Sequence, residues 1–221
     1  MTIPWNQAET LANRIIQKLS PTCEKMKVCG SIRRHAATVK DIDIVCLPIN
    51  DRIVLQRDLW NHPTKYQDNN LLLNRVNDHK HMRGLELIKI NGKEKRITIQ
   101  HMEHDVNIEL YLVDRLNQFG MAVLVRTGPH QISKRVMSYA LERHWHITDY
   151  ELHTHEKGGK PGRRTKCTRG DTCTAIAHTP TEQLAFSALG LDYPHPAGRV
   201  PYMLEELIID AHERRFVGVG G

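Results

Sequence analysis

The sequence has no apolar run approaching the length that crosses a bilayer, no charged-then-apolar leader, no internal repeat and no long low-complexity tract. These absences lead to the expectation of a soluble, cytoplasmic protein with no membrane partner. Cysteine is sparse. The five residues are an odd number, and without a leader they argue against a disulfide scaffold and for a reducing compartment. Acidic residues are outnumbered by basic ones, 25 to 31, for a formal charge of +6, which favours a polyanionic partner. At 221 residues the chain can bury a sizeable core and hold one domain or two small ones.

One stretch concentrates the chemistry. Val28 to Leu47 reads V-C-G-S-I-R-R-H-A-A-T-V-K-D-I-D-I-V-C-L: a strand, a glycine turn, a short helix, and a second strand carrying Asp41 and Asp43. Alternate residues of a strand share a face, so the two carboxylates stand side by side. Gly30 and Ser31 can bring backbone N–H groups to an anion at the start of the helix, with Arg33 and Arg34 close behind. Carboxylates beside a phosphate cradle repel a nucleotide unless divalent metal lies between them, the arrangement that phosphoryl and nucleotidyl transfer need. Two acids on an apolar strand beside such a cradle are costly without a ligand.

The string G-S-x-R-R followed by D-x-D, with eleven positions from Gly30 to Asp41, resembles the active-site signature of the family X DNA polymerases, the group of DNA polymerase beta in the nucleotidyltransferase superfamily. G-S with D-x-D alone is shared with poly(A) polymerases, CCA-adding enzymes and antibiotic nucleotidyltransferases; the doubled arginine narrows the match. The resemblance implies an α+β chain: a nucleotidyltransferase palm, a mixed antiparallel sheet with flanking helices, over 1–117, then a small α/β thumb over 118–221. It implies a DNA polymerase-like enzyme adding a nucleotide from a dNTP to a primer 3′-hydroxyl on primer-template or gapped DNA. Asp41 and Asp43 would hold two Mg2+ ions, with Mn2+ as a substitute. Ser31, Arg34 and the Gly30 backbone would hold the β and γ phosphates, Arg33 would brace the fold, and Lys40 would add charge near the triphosphate. Cellular members carry a helical DNA-gripping and lyase region before the palm. Five residues before the first helix leave no room for one here, so lyase activity is not expected. DNA binding is expected to be weak or assisted by an accessory protein, as in a compact phage or viral enzyme.

Taken in order, Asn6 to Ser20 predicts a helix, with Asn6 and Glu9 as a capping box and Ala8, Leu11, Ala12, Ile15, Ile16 and Leu19 on one face. Asp51 to Trp60 reads as an amphipathic helix, and Pro63 to Met82 as loop plus short helix. Leu85 to Ile90 and Lys95 to Ile99 form a hairpin around Asn91-Gly92, and Asp105 to Val113 is a strand. Asp105, Asn107 and Glu109 would share a face of it. The resemblance asks for a third metal-binding carboxylate here. Asn107 cannot be an anionic ligand, which leaves Glu109 as first choice and Asp105 next.

Met121 to Arg126 reads as a strand, Thr127-Gly128 as a turn, and Pro129 as the first turn of a helix with Ile132, Val136, Met137, Ala140 and Leu141 on its apolar side. This is similar to the thumb entry of family X and puts Thr127 and Gly128 at the nucleotide. Val125-Arg126 stand where the aromatic pair of polymerase beta would be, so sugar discrimination by that pair does not carry over. Arg126, His130, Ser133 and Lys134 are candidate nucleotide or template contacts. Lys157, Lys160, Arg163, Arg164, Lys166 and Arg169 are candidates for a phosphate backbone. His153, His155, Cys167 and Cys173 are a candidate zinc set with non-standard spacing; the histidines at 79, 81, 101 and 104 read as surface residues. Thr179-Pro180-Thr181-Glu182 starts a helix. The string T-E-Q-L-A-F-S-A-L-G-L-D-Y-P-H-P-A-G-R resembles the end of the family X thumb, and Met203 to Arg215 adds a helix. Two other readings compete: an untemplated nucleotidyltransferase acting on RNA, protein or a small molecule, and a nucleic-acid-binding protein with a decayed site.

Overall fold

Ile42, Ile44 and Cys46 are fully buried on one side of a strand whose other side begins with Asp41 and Asp43, and the fold is arranged about that strand. The computed structural model describes residues 2–78, 80–91, 95–155 and 173–217. In chain order the first half holds β1 (Ile3–Pro4), α1 (Trp5–Leu19), β2 (Cys23–Val28), α2 (Gly30–Arg33), β3 (Thr38–Val39), β4 (Asp41–Pro48), β5 (Asn50–Arg57), β6 (Pro63–Asn70), α3 (Leu71–Asn77), β7 (Leu85–Asn91), β8 (Arg96–His101) and β9 (Val106–Leu112). Five strands form a mixed sheet in the order β2-β4-β9-β8-β7, with β4 parallel to β9 and the other pairs antiparallel. The second half holds α4 (Leu116–Thr127), α5 (His130–Glu142), β10 (Trp145–Thr148), β11 (Glu151–His155), β12 (Cys173–Ala175), α6 (Glu182–Ala188) and α7 (Pro201–Val217). The architecture is α+β. Among the described residues no helix is long and apolar enough to cross a membrane.

Helices cover both faces of the central sheet. α1 buries Ala8, Leu11, Ala12, Ile15 and Leu19, a helical stripe, in one core with Ile42, Ile44, Ile97, Ile99, Ile108 and Leu110. Each of the buried leucine and isoleucine side chains contributes roughly 1.5–3 kcal/mol. On the opposite face Phe119, Ala122 and Val123 of α4 pack on Val45, Leu47, Tyr111 and Val113. α4 therefore covers the far end of β4 and leaves the Asp41–Asp43 end open. A further core joins α4, α5, α6 and α7 through Leu124, Val136, Tyr139, Phe186 and Leu204.

Several elements differ from the sequence expectation. Residues 51–60 are not a helix: β5 pairs antiparallel with β6, and Asp58–His62 is the turn between them. The partner strand, lying in a stretch read as loop, stabilises an extended form that local periodicity does not reveal. Conversely, 121–126 is helical rather than a strand. Gln118 through Leu124 are all buried, and a helix enclosed on every side loses the amphipathic pattern that separates it from a buried strand. α1 starts at Trp5 without a side-chain cap; the Asn6 side chain accepts instead from its neighbour Gln7 N, at 2.9 Å. Pro129 precedes α5, after a cis Gly128–Pro129 bond. Met137, expected in the apolar stripe of α5, is 40% exposed. Thr181, not Thr179, caps α6 by accepting from Leu184 N.

Candidate active site

The site is built where β2 turns back into β4. Cys29 N donates to Asp43 O at 2.8 Å, so the glycine that follows lies directly against the second carboxylate. Gly30 has φ +59, and a Cβ there would fall inside the Asp43 carboxylate. Only glycine permits both the backbone conformation and this approach. Helix α2 carries Ser31, and the residue after it, Arg34, to the rim of a cleft of about 790 Å3 whose walls also include Lys40, Asp41, Asp43, Tyr111, Arg126 and Gly128. His130, Ser133, Lys134 and Met137 of α5 form its opposite side. Arg34, Lys40, Arg126 and Lys134 thus line the same cleft as Asp41 and Asp43.

Register places the third acid. In the parallel β4–β9 pair Asp41 stands opposite Asn107 and Asp43 opposite Glu109. Asp105 lies outside β9 at φ +48 and accepts from Gln100 Nε2 at 2.5 Å. Glu109 is 6% exposed, and its Oε2 accepts from Arg96 Nε at 2.6 Å and from Thr98 Oγ1 at 3.1 Å. Among the described residues no three His, Cys, Asp or Glu side chains converge as a metal-holding group. The Glu109 carboxylate is instead paired with the Arg96 guanidinium of β8.

The electrostatics of Asp43 follow from its neighbours. Burial, and next the charge of Asp41, push its carboxyl up to about 6, while a hydrogen bond from Tyr111 and the charge of Arg126 oppose the rise. Tyr111 is itself pushed up to about 12, by burial and by Asp43. Arg126 lies over the Tyr111 ring with its guanidinium carbon 3.9 Å from the centroid, and donates to Tyr150 OH at 2.8 and 2.7 Å. A buried acid beside another acid has its charged form disfavoured, and a bound cation reverses that. By this criterion Asp41 and Asp43 fit a divalent metal. Glu109 has the right register to join them, with its carboxylate engaged by Arg96.

The expected nucleotide-binding residues divide. Gly30, Ser31, Arg34, Lys40 and Gly128 line the cleft, but Thr127 does not: it is fully buried. Its hydroxyl accepts from Arg33 Nη1 at 2.7 Å, and its carbonyl accepts from Arg34 Nη1. Thr127 fixes the two arginines rather than meeting a ligand. Arg33 braces the fold, pairing with Glu182 at 2.7 Å and donating to Tyr193 OH at 3.3 Å. Tyr111 and Arg96 escaped sequence reasoning altogether; each lies on a strand whose neighbour is set by topology, so no local spacing marks it. Of the zinc candidates, His153 is on β11 and Cys167 lies outside the described residues, as do the side chains of His155 and Cys173. The basic residues from Lys157 to Arg169 lie outside them too. No protein-family model matches the chain, and no curated protein matches it.

Proposed function

We propose that this chain is a DNA polymerase-like nucleotidyltransferase that adds a nucleotide from a dNTP to a primer 3′-hydroxyl, in gap filling or repair. The observation that carries the reading is the Asp43 carboxylate, half-buried against Gly30, beside Asp41 and raised to about 6, at the base of a cleft rimmed by Ser31, Arg34, Lys40 and Lys134. That combination suits a polyanion that arrives with its own cation. Two Mg2+ ions, or Mn2+, held by Asp41, Asp43 and Glu109 would neutralise charge on the triphosphate and on the attacking and leaving oxygens. The protein's own part is positional. The Gly30 and Ser31 amides, the Ser31 hydroxyl and Arg34 hold the outer phosphates, with Arg34 aimed by the Thr127 carbonyl. Lys40 and Lys134 offset the remaining charge, and Tyr111 orients Asp43 through its hydroxyl.

The test is primer extension on gapped and single-stranded DNA with each dNTP and NTP in Mg2+ or Mn2+. The expected result is incorporation of the base the template dictates, lost by at least about a thousandfold in Asp41→Asn and Asp43→Asn. Incorporation indifferent to the template would favour the untemplated transferase. No incorporation under any condition, with DNA binding intact in both variants, would overturn the enzyme reading in favour of a binding protein.

A further inference from the structure

Arg33, Arg96, Arg115, Arg135 and Arg199 each pair with a carboxylate, at 2.6–2.9 Å. The two arginines on the wall of the cleft differ. Arg34 donates to the Thr127 carbonyl and Arg126 to the Tyr150 hydroxyl, and among the described residues neither pairs with an acid. The hold on Arg126 is specific. Its guanidinium carbon lies 3.9 Å from the centre of the Tyr111 ring, and Nε and Nη2 both donate to the one Tyr150 oxygen, at 2.8 and 2.7 Å. Both Nη1 hydrogens are left without an acceptor among the described residues. The hydroxyl that does the holding comes from a costly turn. Thr148 pairs with Glu151 across the β10–β11 hairpin, so Asp149 and Tyr150 are its whole connection, with φ +46 and +59. Such a turn favours Asn or Asp followed by glycine, and tyrosine in the second place is strained where glycine would not be. Glycine would relieve the strain and lose the hydroxyl.

We propose that Tyr150 is a positioning residue for Arg126, and that Arg126 so held binds a phosphate group of the substrate on the β9 side of Asp41 and Asp43; the inference rests on the reading of the cleft as a site of nucleotidyl transfer. Consecutive residues in the last turn of α4 point apart, by about 100°. Thr127 meets Arg33 and Arg34 on the α2 side, and Arg126 meets Tyr111 of β9. β4, which carries both acids, lies between β2 and β9 in the sheet. The Gly30–Arg34 cradle and Arg126 therefore flank the acid pair from two sides. Nucleotidyl transfer brings two phosphate-bearing partners to one metal pair, the nucleotide and the acceptor strand. Phosphate is the chemistry they share, and a guanidinium with an open Nη1 edge and no internal acid suits it. Position matters because Arg126 is also a partition. Behind it lies a second cavity of about 270 Å3, lined by Arg126, Lys95, Gln118, Met137, Asp149 and Tyr150. Without the Tyr150 hydroxyl, that cavity gives the guanidinium room to leave the cleft, toward the acid Asp149.

The test uses the full chain as wild type, Tyr150→Phe, Arg126→Met and the double variant, with two probes in Mg2+: a dNTP and a labelled primer-template duplex. Arg126→Met should weaken binding of at least one probe about tenfold or more. Loss with the dNTP makes the phosphate the nucleotide's. Loss with the duplex makes it the acceptor strand's, with a salt dependence shallower by about one counterion. Tyr150→Phe keeps the ring and the turn, and should weaken the same probe several-fold. It should add nothing once Arg126 is replaced, because a positioning residue acts only through its partner. Additive losses in the double variant would overturn the proposal. So would a Tyr150→Phe protein with a lowered melting temperature and both affinities intact, the mark of a merely structural hydroxyl. The two readings fail separately. Coupled losses of binding in a chain that incorporates nothing keep the positioning role and lose the polymerase; normal incorporation with affinities unchanged in every variant does the reverse. A wild type that binds neither probe overturns both.

Discussion

Two carboxylates, one buried and one half-buried, have opposite surroundings in this fold. Glu182, 4% exposed, meets Arg33 on one side and Arg199 on the other, each at 2.7 Å. Burial pushes its carboxyl up, but contacts from Arg199 and Arg33 outweigh burial and leave it below the usual carboxylate value. Asp43 is half-buried; burial, and next the charge of Asp41, raise it to about 6. The first cluster is neutralised within the protein and ties α2 to α6. In the second the charge of Arg126 opposes the rise without cancelling it. The comparison teaches that burial of an acid does not by itself mark a functional site; burial whose cost the neighbouring cations do not offset is the stronger pointer.

The strongest way to break this comparison is to remove the satisfied acid. Glu182→Ala leaves Arg33 and Arg199 facing each other, with side chains 15% and 0% exposed. Breaking a buried ion network from one side costs about 3–5 kcal/mol. Urea denaturation should show that loss. A cost below about 1 kcal/mol would mean that the clasp behaves like a surface pair and that the contrast with Asp43 is empty.

Removing the unsatisfied acid should do the opposite. The folded-state value for Asp43, about 6, lies above the ordinary 3.8. Between those two values the folded protein holds more protons than the unfolded chain, so stability contributed by this group falls as pH rises through the window. Above about pH 6 the penalty is complete. Metal-free Asp43→Asn should therefore be more stable than wild type by about 1–3 kcal/mol at pH 8, with the difference gone near pH 4. Saturating Mg2+ should reverse the order, because the metal stabilises only the wild type. Thermal melts across pH, with chelator and with Mg2+, check both signs.

Sequence legibility follows the same division. Gly30, Asp41 and Asp43 could be read in advance because a turn, a short helix and a strand bring them together with nothing long-range required. The core positions of α1, the β7–β8 hairpin and the β9 strand were legible from periodicity. Arg96 and Tyr111 were not, since each acts across a strand boundary that only the β4-β9-β8 order defines. Nor was the burial of Thr127, which depends on two arginines far back in the chain. The β5–β6 pair and α4 were misread for one shared reason: pairing or enclosure by distant elements overrode the local pattern.

Arg96 is the counter-charge that does reach the second cluster, and replacing it makes that cluster more like an empty metal site. Arg96→Met frees Glu109 from a 2.6 Å contact and adds a third uncompensated acid beside Asp43. Divalent-ion affinity, followed by Mn2+ binding, should rise several-fold, consistent with about 1 kcal/mol for a pair whose arginine side chain is 47% exposed. An unchanged affinity would mean that Glu109 takes no part in metal binding.

The smallest effect comes from the neutral donor. Tyr111→Phe removes the hydroxyl whose hydrogen bond holds the Asp43 carboxyl down. Asp43 should then titrate higher, and the pH midpoint for Mn2+ binding should move above about 6 by less than one unit, equivalent to about 1 kcal/mol. The phenyl ring still packs under Arg126, whose guanidinium lies 3.9 Å from its centre, so the fold and the cleft shape should be kept. A midpoint that falls instead would show that the hydroxyl stabilises the protonated form of Asp43. The site would then be primed against metal rather than for it, and the contrast with Glu182 would rest on burial alone.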